Sequence, residues 1–337
     1  MKLSFEPYTL ELRHVFTLSS SSRTTTPVVL VMIESEGYIG YGEASLPPYL
    51  KETQQSVTAF LSALNLNGFS LNHPLEDVLG YIENVAPENT AAKAAVDIAL
   101  HDLYGKAREY AWWQYWGLDR FSVPDTSFTI GIDTEEGIRC KTLDAKDFNL
   151  LKVKLGRHTD KMIISAIRSV TDKPICVDVN QGWTDKYEAL DMLHWCKEQG
   201  VIFAEQPMPK EYIDDMAWLT AHSPIPTIAD ESFQRISDLK KVKGVFSGIN
   251  IKLMKCTGMN EAYKVIHEAR DAGMKVMLGC MTETSCAISA AAQLSPWVDW
   301  ADLDGNLLIT NDCFYGATLQ NGKIISTRMP GIGIKYK

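Results

Sequence analysis

Between Leu150 and Lys252 the chain reads LLKVK (150–154), ICVD (175–178), VIFAE (201–205), IPTIAD (225–230) and SGINIK (247–252). Each is a short apolar run that stops at a charge, giving the series Lys154, Asp178, Glu205, Asp230, Lys252 at intervals of roughly 22 to 27 residues. That interval suits a strand followed by a helix and its loops, repeated as in a closed parallel barrel. In such a barrel all strands run the same way, so their final residues share one rim and their charges converge. Any one such charge can simply open a solvated loop. Five in succession, in the order base, acid, acid, acid, base, predict a shared site.

Outward from this stretch the same alternation continues. SFTIGI (127–132) precedes it, and KVMLGC (275–280) and VDWADLD (298–304) follow, making eight candidate strands from about Thr126 onward. The region before about residue 115 differs. LSFEPYTLEL (3–12) and PVVLVMIESEGYIGYGEA (27–44) read as strands, the second broken by a turn at 34–37. Thr53–Leu64 and the Ala-rich Pro87–Ala107 read as helices. After about Asn311 short strands return, with Asn321-Gly322 as a hairpin signal. The division expected is an α+β domain over 1–115, rejoined by 311–337, and a barrel over 122–310. Two polar connections, TLSSSSRTTT (17–26) and PPYLKE (47–52), are expected to lie over the barrel mouth as lids.

Composition narrows the function. At 337 residues and 45% hydrophobic the chain has enough material for a barrel and an accessory domain. A net charge of −9 without any basic tract disfavours nucleic acid. Seven scattered cysteines without a CxxC predict buried thiols rather than disulfides or a zinc ribbon. No apolar stretch has spanning length, and the first residues alternate like a strand instead of forming an apolar signal core, so a cytoplasmic enzyme without a membrane partner is expected. The histidines show no metal-ligand spacing, and PGIGIKYK (330–337) lacks the context of a dinucleotide site.

Asp178, Glu205 and Asp230 offer three hard oxygen ligands and no imidazole, a set that favours Mg²⁺. Lys152 and Lys154 are two apart on one strand and share its face. Lys154 and Lys252, on the second and sixth strands of eight, would face each other across the barrel. A lysine near a dication and a second ammonium is expected to have a depressed pKa and act as a base. A carbon acid held between two such bases loses a proton to one face and regains it on the other. The dianionic enediolate this creates requires a divalent electrophile.

Taken together, LLKVKL, VDVNQGW, EQP, ADES, NIKLMKCTG and DLDG, with AAKAAVDIALHDL in the first domain, resemble the muconate-lactonizing subgroup of the enolase superfamily, and most nearly its dipeptide epimerases. The resemblance spans nearly the whole chain. It implies an α/β fold, a modified (β/α)7β TIM-like barrel with an α+β capping domain. It further implies one Mg²⁺ per subunit on Asp178, Glu205 and Asp230, catalytic Lys154 and Lys252, and Lys152 facing the substrate carboxylate. Asp302 and Asp304 match the DxD that binds a dipeptide's ammonium group. Met281 and Thr282, in LGCMTET, are expected at the rim against substrate. Arg23 stands where some relatives acting on Ala-Glu place an arginine, which implies L-Ala-D/L-Glu, a murein peptide, as substrate. Dipeptides of other sequence, another reaction of the subgroup (cycloisomerase, o-succinylbenzoate synthase, N-acylamino acid racemase) and a non-catalytic peptide-binding barrel stand as alternatives. A homo-oligomer is implied by resemblance alone.

Overall fold

A computed structural model describes residues 1–17, 22–156 and 158–337. The chain opens with an antiparallel meander, β1 (Lys2–Thr17), β2 (Ser22–Ser35) and β3 (Tyr38–Ser45). Glu36 and Gly37 turn it with positive φ. One expectation changes here. Of the stretch read as a polar lid, 18–21 lie outside the described residues, whereas Ser22 to Thr26 belong to β2, with Arg23 paired to Phe16 on β1. Three successive threonines are β-branched and suit a pleated strand better than a loop.

Helices α1 (Gln54–Ala63), α2 (Leu75–Val85) and α3 (Thr90–Ala107) follow. Helix α1 begins on a capping box between Thr53 and Ser56. Helix α2 was not among the sequence expectations, although Leu75, Val78, Leu79 and Ile82 form a helical stripe and Glu76 and Asp77 lie in its positive first turn. Helix α3 is buried from Ala91 to Gly105. Its small residues let β3 approach so closely that a methyl group on Gly40 or Gly42 would collide with the carbonyl oxygens of Ala99 or Ala95. A short α4 (Trp112–Tyr115) leads into the barrel.

The eight expected barrel strands are all present: β4 (Ser127–Ile130), β5 (Leu150–Lys154), β6 (Ile175–Asp178), β7 (Val201–Glu205), β8 (Thr227–Ala229), β9 (Gly248–Lys252), β10 (Lys275–Gly279) and β11 (Trp300–Asp302). They pair in sequence order, all parallel. A parallel bridge between Thr126 and Ala301 closes the ring, reinforced by the Leu303 amide donating to Thr126 Oγ1 at 2.9 Å. Around it run α5 (Glu135–Asp144), α6 (Asp160–Arg168), α7 (Lys186–Glu198), α8 (Ile213–His222), α9 (Leu239–Val242), α10 (Met259–Asp271) and α11 (Ser285–Leu294).

Alternation along the strands stacks the barrel interior in layers. Leu150, Cys176, Phe203, Ile228 and Met277, with Trp300 against Phe203 at 4.6 Å, fill the lower end. Two residues further along the same faces come Lys152, Asp178, Glu205, Asp230 and Asp302. The charged layer therefore rests on an apolar plug that excludes water from below.

Beyond the barrel, β12 (Phe314–Tyr315) pairs with β15 (Lys335–Tyr336), and Tyr41 of β3 stacks on Tyr336 at 5.7 Å. The hairpin expected at Asn321-Gly322 joins β13 (Thr318–Gln320) to β14 (Lys323–Ile325), both turn residues having positive φ. Its Gly322 carbonyl accepts from the Thr126 amide at 2.8 Å, so the tail touches the barrel as well as the meander. The meander and barrel are also tied through α3, whose Asp97 accepts from the Met259 amide at the start of α10 at 2.6 Å.

Because Gly42 lies against the backbone of α3, Gly42→Ala is expected to destabilise the protein by about 3 kcal/mol, measured as a lower midpoint of urea unfolding. An unchanged midpoint would mean that β3 can draw away from α3.

Candidate active site

Asp178 and Glu205 end adjacent strands and Asp230 directly follows the next, Asp178 and Glu205 fully buried and Asp230 nearly so. One oxygen from each lies within 4.8 Å of the others. Opposite ligands of a Mg²⁺ ion with bonds of about 2.1 Å are about 4.2 Å apart, so the set needs little adjustment to hold one. Glu205 Oε2 is buried with the Lys152 ammonium, 2.7 Å away, as its ion-pair partner, and it keeps lone-pair capacity for a cation. The donor chemistry and the geometry both fit Mg²⁺.

Lysines surround these acids. Lys152 Nζ lies 2.8 Å from Asp302 Oδ2, 2.7 Å from Glu205 Oε2 and 3.1 Å from Asp178 Oδ2. Lys154 Nζ is 2.6 Å from Asp178 Oδ2, and Lys252 Nζ is 2.7 Å from Asp230 Oδ2. Burial works against charge on Asp230, yet Lys252 and Lys255 outweigh it and hold the carboxyl well below the usual range. Asp178 is lowered as well, Lys154 and Lys152 prevailing over burial. Glu205 goes the other way, pushed up to about 7 by burial and by Asp178, with Lys152 only partly compensating.

The depressed lysine pKa expected from sequence is not what protein groups alone produce at Lys252. Burial disfavours its ammonium, but Asp230 outweighs burial and raises the pKa well above the ordinary value. Lys152 is raised likewise, by Asp302, Glu205 and Asp178 against burial. The expectation counted positive neighbours, whereas in the fold each lysine touches a carboxylate. A dication on those oxygens acts in the opposite sense.

A cavity of about 940 Å³ opens above this layer. Its wall includes Arg23, Lys152, Lys154, Asp230, Lys252, Met281, Thr282, Asp302 and Asp304, so every residue singled out from sequence lines it except the fully buried Asp178 and Glu205. Lys154 on β5 and Lys252 on β9 are four strands apart in a ring of eight, on opposite sides of one space. The two aspartates of the DxD are not equivalent. Asp302 ends β11 and pairs with Lys152 and Ser127 Oγ. Asp304 is just past the strand, accepts from the Thr129 amide at 2.8 Å, and is pushed up to about 7 by burial and by Asp302. Arg23 Nη2 donates to Thr282 Oγ1 at 3.2 Å, and burial lowers the guanidinium pKa. Of the second expected lid, Tyr49 reaches the cavity and bonds Met281 Sδ at 2.7 Å.

Sequence reasoning missed the residues that hold the acids. Asn250 Nδ2 donates to Glu205 Oε1 at 2.7 Å, and Gly279 beside it lacks the side chain that would strike Asn250. Lys255 Nζ bonds Asp230 Oδ1 at 2.6 Å and the carbonyls of Asp230, Phe233 and Asn250. Gln206 Oε1 accepts from the amides of Asp230 and Ser232. Asn250 was findable, since it alternates with Lys252 on one strand face. Asn180, Gln181, Gln206 and Thr257, near the carboxyl ends of barrel strands, have positive φ without being glycine, a concentration of backbone strain at the rim.

Residues 6–117 match the mandelate racemase / muconate lactonizing enzyme N-terminal domain, and residues 138–337 match the enolase C-terminal domain-like family. The chain belongs to this family of enolase-like, two-part enzymes. It is 60% identical over 335 residues, 99% of this chain and 88% of the relative, to an L-Ala-D/L-Glu epimerase of Bacteroides thetaiotaomicron. In structure it resembles the substrate-liganded L-Ala-D/L-Glu epimerase of Bacillus subtilis, at 26% identity and a TM-score of 0.91 over 99% of this chain and 98% of that one. It also resembles a dipeptide epimerase of Enterococcus faecalis complexed with Mg and L-Leu-L-Tyr, at 28% identity and a TM-score of 0.90 over 99% of each chain.

Removing the Asn250 donor with Asn250→Leu is expected to weaken Mg²⁺ binding by about 10- to 100-fold, measured by isothermal titration calorimetry. Unchanged affinity would remove Asn250 from the support of Glu205.

Proposed function

We propose that this chain is a Mg²⁺-dependent dipeptide epimerase that inverts the α carbon of the C-terminal residue of L-Ala-D/L-Glu. The observation that carries the reading is the placement of Lys154 and Lys252 on opposite walls of one cavity, with the three-carboxylate cluster between them. Asp178, Glu205 and Asp230 would hold Mg²⁺, which would supply positive charge to the substrate carboxylate and so acidify the adjacent α carbon. The ammonium of Lys152, kept charged by Asp302, Glu205 and Asp178, faces the same substrate carboxylate.

The chemistry then belongs to two nitrogens. The α proton passes to the neutral Nζ of one lysine, and the ammonium of the other returns a proton to the opposite face of the carbon. The second lysine must begin charged, and the pair ends with its protonation exchanged. Asp302 and Asp304 favour a substrate bearing an ammonium group, which separates dipeptides from muconate or succinylbenzoate. Arg23, desolvated in the same cavity, favours a side-chain carboxylate and hence glutamate at the C-terminal position.

In this reading residues 1–115 with 311–337 cap the barrel of 122–310, and the enzyme handles cell-wall peptide in the cytoplasm, as a homo-oligomer. Among the described residues no helix is long and apolar enough to cross a membrane.

Incubation of a dipeptide panel in D₂O with Mg²⁺, followed by ¹H NMR, tests the proposal. L-Ala-L-Glu is expected to lose its C-terminal α-proton signal and yield the L,D diastereomer faster than L-Ala-L-Leu; a peptide-binding barrel leaves that signal intact. Lys154→Ala and Lys252→Ala should each reduce epimerisation by at least about 10²-fold, while the remaining lysine can still exchange deuterium into one diastereomer. Full turnover in both variants would end the two-base assignment.

Asp304 supplies a pH test. Its carboxyl, raised to about 7, is neutral below that pH and charged above it, and only the charged form pairs with the substrate ammonium. The pH profile of kcat/KM is expected to rise through about 7, and Asp304→Asn to lose that limb while raising KM. A limb that survives in the variant assigns the titration elsewhere.

A further inference from the structure

Behind the cavity wall formed by Met281 and Thr282 lies a buried junction that no step above uses. Glu43, on β3, is fully buried. Its carboxylate accepts from the Thr284 amide, at 3.0 and 3.1 Å to its two oxygens, and from Thr284 Oγ1. Two residues on, Ser45 Oγ donates to the Thr282 carbonyl at 2.7 Å, and the Ser45 amide meets Met254 Sδ in the segment after Lys252. Glu283, also buried, folds back to accept from the Met281 amide at 3.0 Å. The end of one meander strand thus grips the loop after β10 at successive points, and that loop presents Thr282 Oγ1 to Arg23 on the cavity side.

The two carboxyls accept hydrogen bonds from neutral donors, Thr284 for Glu43 and the Met281 amide for Glu283. Burial pushes Glu43 up to about 7, with Asp312 adding to the rise, and pushes Glu283 up to about 8, with Glu43 adding to it. Near neutral pH the junction therefore retains protons, which lets two acids share a dry space. What the loop requires of Glu43 is acceptor oxygens at a fixed position, with no need for a charge. Glu43 is absent from the cavity wall, so any influence on substrate passes through the loop.

We propose that Glu43 is a positioning residue for substrate recognition: from the meander it fixes the Met281–Thr284 loop and, through Thr282, the guanidinium of Arg23 that receives the substrate's side-chain carboxylate. This rests on the function proposed above. The contact by which Glu43 acts touches neither the carboxylate cluster nor the cavity wall.

The test compares Glu43→Ala, Glu43→Gln, Ser45→Ala and Thr284→Val with the parent protein in Mg²⁺, using L-Ala-L-Glu and L-Ala-L-Leu. Glu43→Ala and Thr284→Val are expected to raise KM for L-Ala-L-Glu by about tenfold or more, with kcat within about threefold and KM for L-Ala-L-Leu within about threefold. Glu43→Gln, which keeps an acceptor of the same length, is expected to restore KM to within about threefold of the parent. Equal KM changes for both peptides, a loss confined to kcat, no change in either, or a Gln variant as impaired as Ala would overturn the proposal.

If Glu43→Ala does not fold, Thr284→Val and Ser45→Ala carry the same comparison. Amide hydrogen exchange over Met281–Thr284 gives a readout independent of turnover. Faster exchange there in the variants than in the parent is expected, and unaltered protection would sink the clamp. Should the parent turn over no dipeptide, the proposed function fails, while exchange still decides whether Glu43 holds the loop.

Discussion

Mutual neutralisation inside a dry barrel is the constraint around which the rest of this molecule is arranged. Four lysines and four carboxylates, Lys152, Lys154, Lys252 and Lys255 with Asp178, Glu205, Asp230 and Asp302, occupy a layer from which Leu150, Cys176, Phe203, Ile228 and Met277 exclude water below. No one of these charges is tolerable there alone, because an unpaired ion in such surroundings costs several kcal/mol. Each is kept by its neighbours, and removing one exposes another. The arrangement also primes the site, since the carboxylate oxygens now shared with ammonium groups are those that suit a divalent cation.

That pairing explains the uneven titration of the site. Asp230 touches two lysines and is strongly acidic, whereas Glu205 shares a single lysine with two other acids and is driven toward neutrality. Asn250, Lys255 and Gln206 complete the frame by supplying hydrogen-bond partners to the side chains or backbone of the acids. Their work is to hold orientation, which a cation with rigid geometry requires.

The meander does more than cover the barrel. Gly40 and Gly42 bring β3 against α3, Asp97 of α3 caps α10, and Glu43 and Ser45 reach the loops after β10 and β9. A single strand of the first domain thus connects the packing of its own core with the wall of the cavity. Arg23 enters from the adjoining hairpin. In the proposed reading, recognition of the substrate side chain is assembled from the meander hairpin and from a barrel loop steadied by the meander.

Residues 150–252 by themselves determined the parallel barrel, the inward convergence of five charges and the hard-oxygen ligand set, because strand alternation and strand-end charge are local properties that spacing exposes. The hairpin at Asn321-Gly322 was legible for the same reason, its turn requiring two residues with positive φ. The direction of the Lys252 pKa, the inequality of Asp302 and Asp304, and the grip of Glu43 on Thr284 were decided only by the tertiary structure. They depend on which groups meet across the barrel and across 241 positions of chain. Electrostatic and hydrogen-bond energies are set by such distances and by burial, and neither can be read from the order of residues.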